Sequence, residues 1–448
     1  MKRITKLLSI ALSFLVIGNV AMAEEGDVQS VDTTTVSEVK RAKHHRRYNR
    51  DDYGDWHFRL GGYGEMLYQH FDYGANRFYE NGALKDNRSE ISIPRFVFAL
   101  DFKLSPTWIL GSEVEFEYGG TGSGIEYEYE EAGEYEMEVE KGGEVALEQF
   151  HLTKVFAPWL NLQFGHIIVP VGLTNTHHEP LLFFATTRSE GESTLIPSTW
   201  HENGIALFGT VRKFDYNIMC VNGLDPNFFS RPNFIRKGRQ SMFETSTMTN
   251  PAMAARMDFR FIKNTRLGVS TYYAPKTTGN SSKKEKMKDI DVPVFVASAD
   301  VQVQNKRFTG RANFLYGRVG DSEALSKLNL TMPKSGKISI FPRDQVAESA
   351  LDWYAEMGYD FGNLICERLS LTPFIRYEYY NSMQTTAGAV VYDPRFKRDI
   401  LTVGLNYKPL PNLVIKSDYS HRWIDHGNFN GENTFSVGVG YMAWYTRR

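Results

Sequence analysis

The stretch RLSLTPFIRYEY, residues 368–379, decides the fold class, because polar and apolar side chains alternate along it with a period of two. Its polar positions are Arg368, Ser370, Thr372, Arg376 and Glu378, and its apolar positions are Leu369, Leu371, Ile375, Tyr377 and Tyr379. The segment RDILTVGLNY at 398–407 shows the same alternation. Each stretch has one apolar residue at a polar position, Phe374 in the first and Ile400 in the second. A period of two in β-branched and aromatic company predicts strands with one polar and one apolar face.

Similar segments recur from residue 56 to residue 446, and the connections between them alternate strictly in length. Short connections such as 212–213 alternate along the chain with long ones such as 170–199 and 223–250. Tight periplasmic turns, long outer loops and an even strand number are typical of bacterial outer-membrane barrels. An open sheet edge would leave backbone groups unpaired in hydrocarbon, so the sheet must close on itself. The sequence therefore predicts an all-β, closed transmembrane antiparallel barrel of about 16 strands over residues 54–448.

The N-terminus predicts export. MKRITK is basic, residues 7–20 are apolar, and Ala21-Met22-Ala23 is a small-x-small cleavage site, so residues 1–23 fit a signal peptide. A retained membrane anchor is the alternative, and the acidic EEGD that follows at once disfavours it. Residues 24–53 have low apolar content and predict a flexible periplasmic segment. Its His44 and His45 fit a solvated basic stretch better than a metal site.

Composition excludes several other classes of protein. After residue 23 the chain has no uncharged apolar run of the ~18 residues that a membrane-spanning helix needs. A formal net charge of −2 over 448 residues gives no indication of nucleic-acid binding. The two cysteines, Cys220 and Cys366, provide neither a disulfide framework nor a CxxC metal motif. No cofactor is expected.

The polar faces of the strands predict which side chains line the lumen. Residues 95–103, for example, would direct Arg95 and Asp101 inward and Phe96 and Phe98 towards lipid. Walls of basic residues select anions and walls of acids select cations, so a lumen of mixed charge predicts a weakly selective, water-filled pore. The pore-lining candidates are Arg95, Glu113, Glu115, Arg256, Arg260, Arg307, Arg311, Glu348, Asp352, Glu356, Arg368 and Arg376.

The clusters that could suggest other chemistry are weak. His177-His178-Glu179 are adjacent in a loop and point apart, whereas zinc ligands must converge. Neither a GxSxG elbow nor a P-loop is present. The acidic segment EYEYEEAGEYEMEVEKGGE at 126–144 fits a solvated hairpin above the membrane. A cation-attracting vestibule, or divalent-ion bridging to lipopolysaccharide phosphates, is its alternative interpretation. We therefore expect no enzyme and no metal site.

One stretch resembles a known family. Residues 164–209, FGHIIVPVGLTNTHHEPLLFFATTRSEGESTLIPSTWHENGIALFG, followed by MCVNG at 219–223, resemble the phosphate-selective porin O and P family. The matching positions are Gly165, His166, Pro170, Gly172, Leu173, Gly204, Leu207, Gly209, Asn222 and Gly223. The resemblance covers about residues 56–448. It implies a trimeric sixteen-stranded barrel whose third outer loop, here 170–199, folds inward to narrow the pore. The family usually has a basic residue where His166 stands.

These patterns predict an outer-membrane porin through which small polar or charged solutes diffuse passively. Outer-membrane lipid should surround the barrel. The resemblance implies that the porin is a homotrimer. The expected constriction residues are Arg188, Glu190 and Glu192, the charged side chains of the latter half of the loop. A channel specific for phosphate, another anion or a sugar is the main alternative, and a barrel enzyme or adhesin is the third. The apolar run 181–184 would pack against the barrel wall or, alternatively, at a trimer interface.

Overall fold

The strands are followed in a computed structural model, which describes residues 56–75, 82–119, 124–129, 135–140, 143–240, 245–305, 307–331, 343–362 and 370–447. The predicted signal peptide, the segment 24–53, Cys366 and Arg368 lie outside these residues. Within them, no helix is both long and apolar enough to cross a membrane.

Sixteen of the described strands form one closed antiparallel ring. Each strand pairs with its neighbours along the chain, and the last pairs with the first, so the sheet has no free edge. The ring strands are β1 (Phe58–Tyr73), β2 (Lys85–Ser105), β3 (Trp108–Glu117), β6 (Glu144–Ala157), β7 (Leu160–Ile168), β8 (His201–Val211), β9 (Phe214–Asn222), β10 (Pro251–Phe259), β11 (Thr265–Ala274), β12 (Val294–Gln304), β13 (Phe308–Val319), β14 (Ser349–Tyr359), β15 (Leu371–Thr385), β16 (Lys397–Leu410), β17 (Leu413–Ile424) and β18 (Gly431–Arg447).

The remaining elements lie in the connections. Strands β4 (Gly124–Tyr129) and β5 (Tyr135–Glu140) form a separate two-stranded antiparallel hairpin between β3 and β6. Two α-helices are described, α1 (Glu190–Leu195) and α2 (Ser322–Thr331). Single 3-10 turns occur at Pro226–Phe228, Arg236–Gly238, Thr278–Asn280, Lys284–Lys286 and Pro394–Phe396.

The alternation of side chains explains why the strands form a membrane barrel. On β2, Phe96, Phe98 and Phe102 are exposed on the outer face, while Arg95 and Asp101 are buried on the inner face. Directly paired residues of an antiparallel sheet share a face, so Phe96 of β2 lies beside Phe116 of β3 on the outside. Large apolar side chains on the outside are stable where hydrocarbon rather than water surrounds them.

Apolar residues of the outer loops pack together against inward-facing residues at the outer ends of the strands. The cluster draws on at least five loops, through residues such as Trp200, Phe229, Met287, Leu325 and Val390. The ring of Trp200 lies 4.6 Å from that of Tyr272 on β11, measured between centroids. The outer end of the barrel therefore contains an apolar core of its own, which we call the loop core.

The predicted fold class is confirmed, since the chain forms a closed antiparallel barrel of sixteen strands with alternating short and long connections. Strand β15 begins at Leu371 among the described residues and continues to Thr385, six residues beyond the alternating stretch 368–379. The extra residues include Met383, which is buried in the loop core. Burial of this side chain stabilises the pairing of β15 with its neighbours beyond residue 379.

Candidate constriction and pore wall

Residues 170–199, which we call the inner loop, lie inside the barrel and are held there by side chains of the wall. At the start of the loop, the guanidinium of Arg256 donates a hydrogen bond to the carbonyl of Gly172 at 3.1 Å. The amide N–H of Gly172 donates to the hydroxyl of Ser270 at 3.2 Å. Arg95, on the other side of the lumen, donates to the carbonyl of His178 at 3.0 Å. The loop thus crosses from β10 and β11 to β2.

The middle of the inner loop is anchored mainly through its backbone. The ammonium group of Lys416 on β17 donates to the carbonyls of Phe183 and Ala185, at 2.9 Å and 2.8 Å. Arg376 on β15 donates to the carbonyl of Thr187 at 2.8 Å. The amide N–H of Thr186 donates to the carboxylate of Asp418. Charged partners make these bonds stronger than neutral ones.

Glu190 ties the beginning of α1 to three strands. Its carboxylate accepts hydrogen bonds from Arg422 at 3.1 Å, from the hydroxyl of Tyr380 at 2.6 Å and from Arg398 at 3.3 Å. Its backbone N–H donates to Glu378 at 2.6 Å. The side chain of Glu190 is 22% exposed, so it reaches the remaining solvent space while it is paired with the wall.

Glu192 has a different environment, because it is buried and organises the loop itself. Its carboxylate accepts from the backbone N–H groups of Thr174 and Asn175, at 3.0 Å and 2.9 Å. It also accepts from the side-chain amide of Asn313 on β13 at 2.9 Å. Arg188, the third expected constriction residue, donates to the hydroxyls of Ser198 and Thr199 within the loop region, at 2.8 Å and 2.7 Å.

The apolar run 181–184 lies within the barrel. Phe184 stacks on Phe374 of β15, with 5.4 Å between ring centroids and an interplanar angle of 13°. The ammonium of Lys416 lies 4.0 Å from the centroid of the Phe183 ring, which is a cation–π contact. Packing against the inner wall, one of the two arrangements that the sequence allowed, is therefore the one observed for these two rings.

The backbone conformation and the space at position 172 both require glycine. Its φ angle is +83°, in the left-handed region that L residues with side chains rarely adopt. A Cβ atom there would also lie 2.2 Å from a carboxylate oxygen of Glu192. Any larger residue would displace Glu192 from the backbone groups that it binds.

The other predicted pore-lining residues fall into two groups. Those buried on the inner face of the wall are Arg95, Glu113, Glu115, Arg256, Arg311, Asp352, Glu356 and Arg376. The second group lies at the rims. Arg260 follows the end of β10 and pairs with Asp215, Arg307 precedes β13, and Glu348 precedes β14 and pairs with Arg318.

Most of the buried charges on the wall have an opposite charge beside them. Arg95 is 2.8 Å from Glu65, and Arg256 is 2.8 Å from both Asp258 and Asp300. Arg311 forms an ion pair with Glu356, and Arg376 is 2.6 Å from Glu378. Such pairing is needed because a lone buried charge is strongly destabilising.

Sequence reasoning did not single out Lys416, Asn313 or Tyr354 as residues that hold the inner loop. Tyr354 is within 3.2 Å of the hydroxyl of Thr174. All three stand at inward positions of their strands, which is the signal that could have found them. Across the described ranges, no group of three or more His, Cys, Asp or Glu side chains is arranged to hold a metal ion.

Solved structures share this barrel at low sequence identity. DcaP, an outer membrane channel of Acinetobacter baumannii, superposes with a TM-score of 0.51 at 11% identity, covering 86% of this chain and 97% of its own. The anion-selective porin from Comamonas acidovorans gives 0.50 at 9%, covering 86% and 99%. OmpF of Salmonella typhi, solved with daunomycin, gives 0.50 at 10%, covering 86% and 97%.

The fold is that of an outer-membrane porin. The chain is accordingly a multi-pass β-barrel of the outer membrane. In sequence it is 25% identical over 369 residues to an uncharacterized protein of Aquifex aeolicus (strain VF5). The alignment covers 80% of this chain and 74% of that protein. No family model matches the chain.

Proposed function

We propose that this porin-type barrel forms a water-filled channel for passive diffusion of small polar or charged solutes, narrowed by the inner loop. The observation that carries the proposal is the anchoring of the loop across the lumen by Lys416, Arg376 and Arg256. A loop held inside a barrel by charged side chains reduces its cross-section, and the polar wall that remains favours hydrated solutes over apolar ones.

Conductance in planar bilayers tests both parts of the proposal. The purified protein should insert in discrete current steps that are linear in voltage at low potential. Deleting 181–190 removes the carbonyls of Phe183, Ala185 and Thr187 and the side chain of Glu190, so the loop loses most of its anchors and single-channel conductance should increase.

Deleting the exposed residues 284–286 from another outer loop is the matched control, and it should leave conductance unchanged. Folded protein that conducts no current would contradict the channel function. A deletion variant that folds and conducts like the wild type would contradict the assignment of the inner loop as the constriction.

A phosphate- or anion-specific channel is the second candidate. Two observations favour it: the resemblance of residues 164–209 to the phosphate-selective porin O and P family, and the guanidinium of Arg188 beside the hydroxyls of Ser198 and Thr199. Guanidinium and hydroxyl groups are the donors that bind phosphate. Millimolar phosphate should then block chloride current, and Arg188→Gln should abolish the block. Absence of any block in the wild type would contradict this candidate.

A homotrimer is the assembly that we propose, following the same resemblance. Chemical cross-linking of the purified protein should therefore give a product of three times the chain mass. Chemical cross-linking that gives only monomers would contradict the trimer.

A further inference from the structure

His178 of the inner loop is buried against the barrel wall, where it contacts β1, β2 and β6. Its backbone carbonyl accepts the hydrogen bond from Arg95 of β2. Its ring lies 5.7 Å from that of Tyr63 on β1, measured between centroids. Its Nε2 atom is 3.6 Å from the Oε1 atom of Glu148 on β6. A side chain that titrates near neutral pH is therefore enclosed between the loop and the wall.

Both ring nitrogens of His178 face oxygen atoms that accept hydrogen bonds. The Nδ1 atom is 3.0 Å from the backbone carbonyl oxygen of Asn175, which can only accept. The Nε2 atom faces the carboxylate of Glu148. A neutral imidazole has one N–H group and can direct it at one of these oxygens, whereas a doubly protonated ring directs an N–H group at each. The geometry thus favours a protonated ring in the docked loop.

Glu148 gives a second reason for a proton at this contact. Its side chain is fully buried, and its Oε2 atom accepts a hydrogen bond from the hydroxyl of Tyr63 at 3.3 Å. A carboxylate removed from water is strongly destabilised unless a positive charge lies beside it, and protonated His178 supplies that charge. A proton on Glu148 instead would also join the two side chains. The contact therefore takes up one proton in either arrangement.

The other charged or titratable groups around this contact come from both the wall and the loop. They are Tyr63 and Glu65 of β1, Arg95 of β2, Glu113 and Glu115 of β3, His201 of β8, and His177 and Glu179 of the loop itself. A charge on His201 or His177 would oppose protonation of His178, and the carboxylates favour it. Arg95 donates to Glu65 through two of its nitrogens, at 2.9 Å and 2.8 Å. Its charge is thus shared with Glu65, and His178 is the group that faces Glu148.

We propose that His178 and Glu148 form a pH-dependent latch on the inner loop, which holds the loop while the contact carries a proton and releases it when the proton is lost. The proposal rests on the channel function proposed above and concerns the regulation of the same constriction. Because docking takes up a proton, it is favoured below about pH 6.5, where a free histidine is already protonated, and weakens as pH rises above that value. One proton changes the docking equilibrium by at most about tenfold per pH unit.

Single-channel recordings of the purified full chain at several pH values test the latch. In the wild type, excursions to higher conductance should become about fivefold to tenfold more frequent as pH rises from about 6 to about 8. His178→Gln keeps a side chain that does not titrate, so its excursions should be as frequent at every pH as those of the wild type at about pH 8. Glu148→Gln removes the charge that the proton neutralises and should also abolish the pH dependence.

His57→Gln is the matched control, because His57 is exposed just before β1. This variant should keep the pH dependence of the wild type. Folded wild-type protein without current overturns the proposed channel function itself. Current with excursions whose frequency does not change with pH overturns only the latch.

The variants decide whether this contact is the origin of the pH dependence. A dependence that persists in both His178→Gln and Glu148→Gln overturns the assignment to these two side chains. If one variant does not fold, the other decides the point alone. If neither folds, hydrogen exchange of the wild-type amides 175–179 is measured at about pH 6 and about pH 8 and corrected for intrinsic rates. Lower protection at the higher pH supports the latch, and equal protection overturns it.

Discussion

Replacing Glu190 with glutamine tests how firmly the inner loop is held. The substitution keeps the shape of the side chain and removes the negative charge between Arg398 and Arg422. Losing one partner of a fully buried ion pair costs about 3–5 kcal/mol. Glu190 is 22% exposed, and each guanidinium keeps another partner, the hydroxyl of Tyr380 for Arg398 and the carboxylate of Glu432 for Arg422. We therefore expect the docked loop to lose about 1–2 kcal/mol.

A loss of this size raises the population of undocked loop about 5–30-fold. Trypsin reports that population, because it can cleave after Arg188 only when the loop leaves the wall. Cleavage that is slow relative to opening and closing follows the equilibrium population of the open form. The rate of cleavage after Arg188 should therefore rise about 5–30-fold in Glu190→Gln, and single-channel recordings should show more frequent excursions to higher conductance.

Glu348→Gln is the control, because Glu348 pairs with Arg318 at the rim, where the two side chains are 31% and 60% exposed. Exposed pairs contribute little, so this variant should be cleaved like the wild type. Equal cleavage rates in Glu190→Gln and Glu348→Gln would refute the reasoning that Glu190 holds the loop.

Three further predictions concern the barrel and its outer loops. Val403 lies on the exposed outer face near the middle of β16, so Val403→Arg should lower the free energy of unfolding, measured reversibly in lipid, by about 2–4 kcal/mol. Val403→Leu should lower it far less, and equal losses would contradict the outward register. An epitope tag at residue 285 should bind antibody on intact cells and a tag at residue 411 should not; the reverse would contradict the topology. Burial raises the pKa of Asp225 to about 6, although the N–H of Asn227 opposes this. The folded loop thus binds this proton more tightly than the unfolded loop does, so the stability of the loop should fall as pH rises from about 4 to about 6. Hydrogen exchange should show this pH dependence in the wild type and not in Asp225→Asn. Identical pH profiles in the two proteins would contradict the prediction.

The strands were predictable because water on one side and lipid on the other impose a period of two on every spanning segment. The exceptions carried information that the sequence alone does not reveal. Phe374 and Ile400 interrupt the alternation, and both are buried on the inner face. Phe374 stacks on Phe184 of the inner loop, 190 residues away in sequence. An apolar residue at an inward position therefore marks a place where the lumen is filled by protein.

The anchoring of the inner loop was not predictable to the same degree. Lys416 binds the carbonyls of Phe183 and Ala185, and a backbone carbonyl is present at every residue, so no sequence pattern indicates which one a lysine will contact. Arg188 and Glu192 were singled out because they are charged. Their difference in role follows from the backbone, since Glu192 binds N–H groups that the turn at Gly172 presents.

The loop core has a consequence for the order of assembly. Its members come from loops as far apart in sequence as Trp200 and Val390, so it has no local nucleus and cannot form before the wall that surrounds it has closed. During export and insertion, residues such as Phe229 and Met287 must cross the membrane with their apolar surfaces uncovered. The final step of maturation is then the collapse of these loops on the cell-surface side, after β1 has joined β18. A barrel arrested before that step would already be inserted and yet lack its finished outer end.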